Sequence, residues 1–124
     1  MRILFITSAH NSLSQRLLIE LTEQGHAVSV ALATSEEAML SAVEEHAPEL
    51  IVAPMLFMLK PGVVSRLEAF VRNGGTLLLT YLSGVVNETA LVLRGGWPGG
   101  GLRKMAGIWS EEIDALYPNA PQRI

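Results

Sequence analysis

The sequence contains no cysteine. That absence excludes disulfides, thiolate nucleophiles and cysteine-ligated metals together. Charge is sparse as well: 9 Lys and Arg stand against 12 Asp and Glu, charged residues make up 17% of the chain, and the formal net charge is −3. With no basic stripe to follow a phosphate backbone, nucleic acid is excluded as a partner. No apolar run approaches the roughly 18 residues of a membrane-spanning helix, so no membrane partner is expected. The opening Met1-Arg2-Ile3-Leu4-Phe5-Ile6-Thr7 is apolar but lacks a small-residue cleavage site. A soluble, cytoplasmic protein is expected.

Apolar residues are plentiful, at 49% of 124 residues. That suits one domain, here residues 1–124, with a core that needs no staples. Residues 3–7 form a continuous apolar run of strand length, the pattern of a strand covered on both faces. Ser12 and Gln15 have capping-box spacing, and Leu13, Leu17, Leu18 and Leu21 then share one helical face. Gly25 ends that helix, and residues 27–32 are the second strand. Thr34 and Glu37 repeat the box ahead of Ala38, Met39, Ala42 and Val43, and Pro48 stops the helix. Residues 50–53 are the third strand. Pro61 suits the first position of a helix carrying Val63, Val64, Leu67, Phe70 and Val71, which Asn73-Gly74-Gly75 ends. Residues 76–80 are the fourth strand.

Strands alternating with helices across short turns imply right-handed crossovers. The expected fold is α/β: a flavodoxin-like (Rossmann-like) doubly wound parallel sheet of five strands in the order 2-1-3-4-5, in three α/β/α layers. Residues 84–93 read as irregular or a short ribbon. Residues 94–101, with six glycines or prolines in eight positions, read as a flexible structural loop, and residues 102–106 as one or two helical turns. Residues 108–116 are the predicted fifth strand and 117–124 a tail.

Doubly wound sheets bind ligands beyond the carboxyl ends of their strands. Ser8, His10, Asn11 and Ser12 lie there before a helix N-terminus, so they are weak candidates for a small-anion or nucleotide site. The alternative is that Asn11 and Ser12 only cap the helix, because the glycines of G-x-G-x-x-G are absent. Ser83, His10 and Glu88 supply the residue types of a hydrolase triad, but no G-x-S-x-G elbow surrounds Ser83. His26 and His46 fall at helix C-termini with no metal-ligand partner at useful spacing. Glu111 and Glu112, adjacent on a predicted strand, point to opposite faces and make a poor acid–base pair. The run Gly95-Gly96-Trp97-Pro98-Gly99-Gly100-Gly101 is followed by Leu102-Arg103, where a P-loop needs Lys and Ser or Thr. No catalytic residue, cofactor or metal is therefore expected. Met55, Leu56, Phe57, Met58 and Leu59 form an apolar stretch that either covers the sheet edge or marks a subunit interface.

Two resemblances extend this reading. Residues 1 to about 54 carry Arg2-Ile3-Leu4, Thr7-Ser8-Ala9-His10-Asn11-Ser12-Leu13-Ser14-Gln15-Arg16, Glu23-Gln24-Gly25-His26-Ala27-Val28-Ser29-Val30 and Pro48-Glu49-Leu50-Ile51-Val52. This segment resembles the N-terminal formyltransferase-like domain of hydrogenase-maturation proteins of the HypX or HoxX type. From about residue 51 come Ala53-Pro54-Met55-Leu56-Phe57-Met58-Leu59-Lys60-Pro61-Gly62, Asn73-Gly74-Gly75-Thr76-Leu77 and Thr80-Tyr81-Leu82-Ser83-Gly84-Val85-Val86-Asn87-Glu88. Gly95-Gly96-Trp97-Pro98-Gly99, Gly107-Ile108-Trp109 and Glu111-Glu112-Ile113-Asp114-Ala115-Leu116 continue it. This part is similar to the trimerisation domain of family 42 β-galactosidases, a domain resembling class I glutamine amidotransferases in fold without their chemistry. The amidotransferase cysteine would follow the third strand, where Pro54-Met55-Leu56-Phe57-Met58 stands. The catalytic residues of both families belong to segments this chain does not carry.

Taken together, the resemblances imply an engineered chimera of two α/β fragments, joined near residues 50–55 and without catalytic activity. The alternatives are a homo-oligomerisation (trimerisation) module, with self as partner, and a weak small-anion or nucleotide binder. The seam is predicted to involve Ile6, Leu17, Val52, Leu67 and Leu78, where mismatched cores would leave cavities or overpacking.

Overall fold

The computed structural model describes residues 1–8, 12–111 and 119, the Leu13 side chain excepted. Strand β1 (Arg2–Thr7) leads to α1 (Ser12–Glu23), β2 (Ala27–Leu32), α2 (Glu36–His46), β3 (Leu50–Ala53) and β4 (Met58–Leu59). Then come α3 (Val63–Arg72), β5 (Thr76–Leu79), β6 (Val86–Asn87) and α4 (Leu102–Ala106). A parallel sheet runs in the order β2-β1-β3-β5, and β4 pairs with β6 in a separate parallel ribbon. The expected order of the first four sheet strands is thus present, with β5 in fourth place. Among the described residues no fifth strand joins the sheet: Ile108 and Trp109 lie outside any strand. Ser110 instead exchanges backbone hydrogen bonds with Trp97 in an isolated antiparallel bridge. Residues 112–116 of the predicted fifth strand, and all of the predicted tail but residue 119, lie outside the described residues.

The sheet sorts its side chains by alternation. Leu4, Ile6, Ile51 and Ala53 face α2 and α3, where Met39, Ala42, Val63 and Leu67 complete a core that also takes in Leu56, Leu59 and Leu102. Ile3, Phe5 and Val52 face the other way, against Leu17 and Leu21 of α1. Four of the five predicted seam residues therefore divide between two separate cores, Ile6 and Leu67 in one and Leu17 and Val52 in the other. Leu78 belongs to neither: it pairs in register with Val52 yet is 52% exposed. Alternation puts it on the α1 face, and β5 is the sheet's edge among the described residues.

Two predicted helix starts shift by a residue or two. For α2 the cap is Ser35, not Thr34: Ser35 is extended and its Oγ accepts from the Ala38 N–H at 3.1 Å. Glu36 and Glu37 fall in the first turn, where negative charge meets the helix dipole favourably. For α3 the cap is Gly62, at φ 79°, so Pro61 lies outside the helix. Gly62 is needed because α2 crosses there: a Cβ on it would lie 2.5 Å from Glu36 Cβ. Glu36 then reaches Arg66 of α3 at 2.8 Å. Ser12 is the first residue of α1, which places the cap position at residue 11, outside the described residues.

At the amino edge of the sheet, the Arg2 backbone N–H donates to Glu49 Oε2 at 2.9 Å and the Arg2 guanidinium lies 3.8 Å away. The backbone bond first, and the Arg2 charge second, hold the Glu49 carboxyl below its ordinary value. A carboxyl lowered on folding stabilises above its unfolded pKa and loses that contribution as the pH falls through the folded value. Glu49→Gln should therefore flatten the acid limb of the stability curve below the ordinary glutamate range, by a small amount at this exposed site. Urea midpoints measured across the acid range would show it, and parallel acid limbs would refute it.

Candidate functional site

The carboxyl edge of the sheet is where the sequence placed its candidates. Ser8 follows β1 half-buried and Ser12 is exposed, while His10 and Asn11 lie outside the described residues. Beside Ser8, the fully buried Thr7 has no hydrogen-bond partner for its Oγ1 among the described residues. An unsatisfied buried hydroxyl costs about 1–3 kcal/mol. Thr7→Val, which keeps the shape, should raise stability by about 1 kcal/mol, read as a higher urea midpoint at unchanged slope. A lower midpoint would mean the hydroxyl has a partner.

Ser83 is not placed as a nucleophile. It is buried, its Oγ accepts from the Leu56 N–H at 3.2 Å, and its O–H donates to the Thr80 carbonyl at 2.9 Å. Thr80 Oγ1 accepts from the Met55 N–H at 2.8 Å. Backbone bonds from Gly84 to the Leu56 carbonyl (2.8 Å) and from Val85 to the Phe57 carbonyl (2.9 Å) extend the clasp. The two hydroxyls thus fasten the turn after β3 to the turn after β5. Glu88 is exposed on the hairpin beyond, and His10, weighed with it as a triad member, lies outside the described residues. The apolar stretch from Met55 to Leu59 is likewise divided: Leu56 and Leu59 are core, and Phe57 is partly exposed.

Residues 85–93 form a short hairpin, with backbone bonds from Leu93 to Val85 and from Asn87 to Leu91, both 2.9 Å. The glycine-rich segment after it is tied rather than loose. Arg103 Nη2 donates to the Gly95 carbonyl and, at 2.9 Å, to that of Gly96. Trp109 Nε1 donates to the Gly95 carbonyl at 3.1 Å, and the Arg103 guanidinium lies 5.8 Å from the Trp109 ring centroid. Its glycines allow close backbone approach within the protein: the Gly99 N–H reaches the Gly84 carbonyl at 2.9 Å, and a Cβ on Gly100 would meet Leu59 at 2.7 Å. Arg103 Nη2 is committed to these carbonyls, while its buried Nε has no hydrogen-bond partner among the described residues.

His46 ends α2 and His26 follows α1, at the opposite edge of the sheet. Among the described residues no group of three His, Asp or Glu could hold a metal ion. Glu111 is exposed, and its neighbour Glu112 is outside the described residues.

What does stand out is apolar surface that the sequence reading did not single out. Along the edge strand run Leu78, Tyr81, Ile108 and Trp109, each more than half exposed. A groove of about 390 Å³ lies there, lined by Val71 of α3, the three leucines of β5, Met105 and Ala106 of α4, and Ile108. On the return arm of the hairpin, beyond the turn at residues 88–90, Leu91 and Val92 are each 65% exposed. These positions carried no signal of their own, because exposure at β5 depends on which strand is last in the sheet.

Comparison with known proteins bears on this surface. The family model described as the β-galactosidase trimerisation domain matches residues 23–124. β-Galactosidase BglY of Alicyclobacillus acidocaldarius is 54% identical over 82 residues, which are 63% of this chain and 12% of that enzyme. The crystal structure of the β-galactosidase from Bacillus circulans sp. alkalophilus superposes with a TM-score of 0.72 at 32% identity, covering 96% of this chain and 19% of the other. The chain therefore spans a small part of the enzymes it matches. HypX from Aquifex aeolicus, solved with tetrahydrofolic acid, is 52% identical over 44% of this chain, with a TM-score of 0.42. The expectation of an engineered, inert scaffold is overturned, because the family match takes in β2, α2 and β3 as well as everything after them. Sharing both the sequence pattern and the fold, the chain belongs to the family of β-galactosidase trimerisation domains.

Proposed function

We propose that this chain is a self-association module that joins copies of itself into a trimer and turns over no substrate of its own. The match of residues 23–124 to the trimerisation-domain family carries the reading. The arrangement of Ser83 supports it, since both hydrogen-bonding roles of that hydroxyl are taken up in holding two turns together. By the same likeness, the enzyme such a module serves is a β-galactosidase, with its catalytic groups outside this chain.

Light scattering over a concentration series tests the reading. The expected result is a species of three times the 13.4 kDa chain mass, dissociating on dilution. A monomer at every concentration would overturn it. We further infer that residues 1–124 behave as one domain, so unfolding should be a single transition with coincident probes.

A further inference from the structure

We propose that Asn73-Gly74 is a self-modifying site. When the cap of α3 opens, the Gly74 backbone nitrogen closes on the Asn73 side-chain amide, and the chain is left with a β-linked aspartate at that position. The chemistry is independent of how the chain associates.

The pair stands apart from the other asparagines. The sequence holds four, followed by Ser12, Gly74, Glu88 and Ala120. Only behind Asn73 is there no side chain to obstruct an approaching backbone nitrogen. Asn73 and Gly74 are both exposed, and nothing lies within 4 Å of a Cβ on Gly74. The Asn73 side chain makes no hydrogen bond among the described residues. Asn87, by contrast, is tied down: its Oδ1 accepts from the Thr89 N–H at 3.0 Å, the Thr89 hydroxyl at 2.9 Å and the Leu91 N–H at 2.9 Å. Water, the second reactant, has room beside the pair, in a cleft of about 620 Å³ whose lining includes Asn73, Gly74, Gly75 and Glu49.

The closed cap holds the reaction back. Asn73 has φ −81° and ψ 9°, which turns the Gly74 nitrogen away from the side-chain carbon it must reach. The Gly74 N–H donates to the Val71 carbonyl at 3.0 Å and the Gly75 N–H to the Phe70 carbonyl at 3.1 Å, the paired bonds of a Schellman cap. Gly75 is pressed against the Phe70 ring, where a Cβ on it would lie 2.3 Å from Cζ. The step therefore waits for the last turn to open, a local fluctuation that leaves the rest of the fold in place.

In the open state the Gly74 nitrogen gives its proton to water and bonds to Asn73 Cγ. The Cγ–Nδ2 bond breaks and Nδ2 leaves as ammonia, so a cyclic succinimide remains. Water then opens the ring at either carbonyl. Opening at the side-chain carbonyl gives an ordinary aspartate; opening at the backbone carbonyl sends the main chain through Cβ and Cγ. Water is consumed, ammonia is released, and nothing is oxidised or reduced. The β-linked product does not fit the same cap, because both Schellman bonds span a main chain that is now longer by a carbon. Its new carboxylate also sits at the negative end of the α3 dipole. The change lies close to β5, whose first residue, Thr76, pairs with Leu50.

Incubating the full chain in warm, mildly alkaline buffer tests the site. Peptide mass spectrometry should find the mass gain of an amide turned to an acid at residue 73, and isoaspartyl methyltransferase should label that peptide. The chain unfolded in concentrated urea should react at least about tenfold faster than the folded one, since the opening step is removed. Gly75→Ala, which drives a methyl group into the Phe70 ring, should react several-fold faster than the unsubstituted folded chain. Should that variant not fold, the unsubstituted chain in urea below its unfolding transition serves instead. There, deamidation and hydrogen exchange of the Gly74 amide should rise together, because both need the same opening. A residue 73 still intact in the folded chain after the unfolded control has reacted fully would overturn the site. Equal rates in folded and unfolded chains, or no acceleration on loosening the cap, would overturn the cap as its gate.

Discussion

Gly84→Ala is expected to destabilise the domain by about 2–5 kcal/mol, the sum of a backbone penalty and a steric one. Gly84 has φ 66°, a left-handed conformation that costs an L-residue about 1–2 kcal/mol. The added Cβ would also lie 2.9 Å from the Gly99 nitrogen and 3.1 Å from its carbonyl oxygen. Both are backbone atoms, so no side chain can rotate away, and the strand of loop through Gly99 has to move. That movement strains the bond from the Gly99 N–H to the Gly84 carbonyl. Gly74→Ala is the matched control: its φ is 93°, and nothing lies within 4 Å of the added atom. It should show the backbone penalty alone. Equal urea midpoints for the two variants would mean that residue 84 does not approach Gly99 as described.

Leu56→Ala should cost about 2–5 kcal/mol, the usual loss for emptying a buried leucine site. Leu56 is fully buried in one core with Leu59, Val63 and Leu102, which come from three different elements, so the site cannot collapse from one side. Phe57→Ala next to it should cost far less, within about 1 kcal/mol, because that ring is 40% exposed. Chemical denaturation of the pair measures the contrast directly. Comparable losses would mean that the apolar turn packs as a block, with no division between its buried and exposed members.

The sequence made the first half of the sheet readable because β1 is apolar over its whole length and each following helix repeats its apolar residues at 3.6 spacing. Those two patterns show which segments are strands and which helix face turns inward, whereas the strand order was taken from flavodoxin-like folds. Cap positions were read one residue early at Thr34, since Thr34 and Ser35 are both competent and only the chain path chooses between them. The Ser83 clasp was not readable: its partner, Leu56, is 27 positions away, and a serine after a strand looks the same whether it clasps a turn or attacks a carbonyl. The fate of Leu78 was hidden for a related reason. A leucine in an apolar strand reads as core unless one knows that its strand is the last. The loop of glycines invited comparison with phosphate-binding loops, whereas the structure uses them to bring Gly99 against Gly84 and Gly100 against Leu59.

The clasp between the two turns also bears on hydrogen exchange. Short hairpins at a protein surface ordinarily open on their own and lose amide protection early. Here the hairpin's base is bonded to Leu56 and Phe57, which continue directly from a central strand. The amides of Gly84, Val85 and Leu93 should consequently exchange with deuterium only as slowly as the sheet itself opens. The surface that presents Leu91 and Val92 then has no private melting event, and disappears only when the domain does.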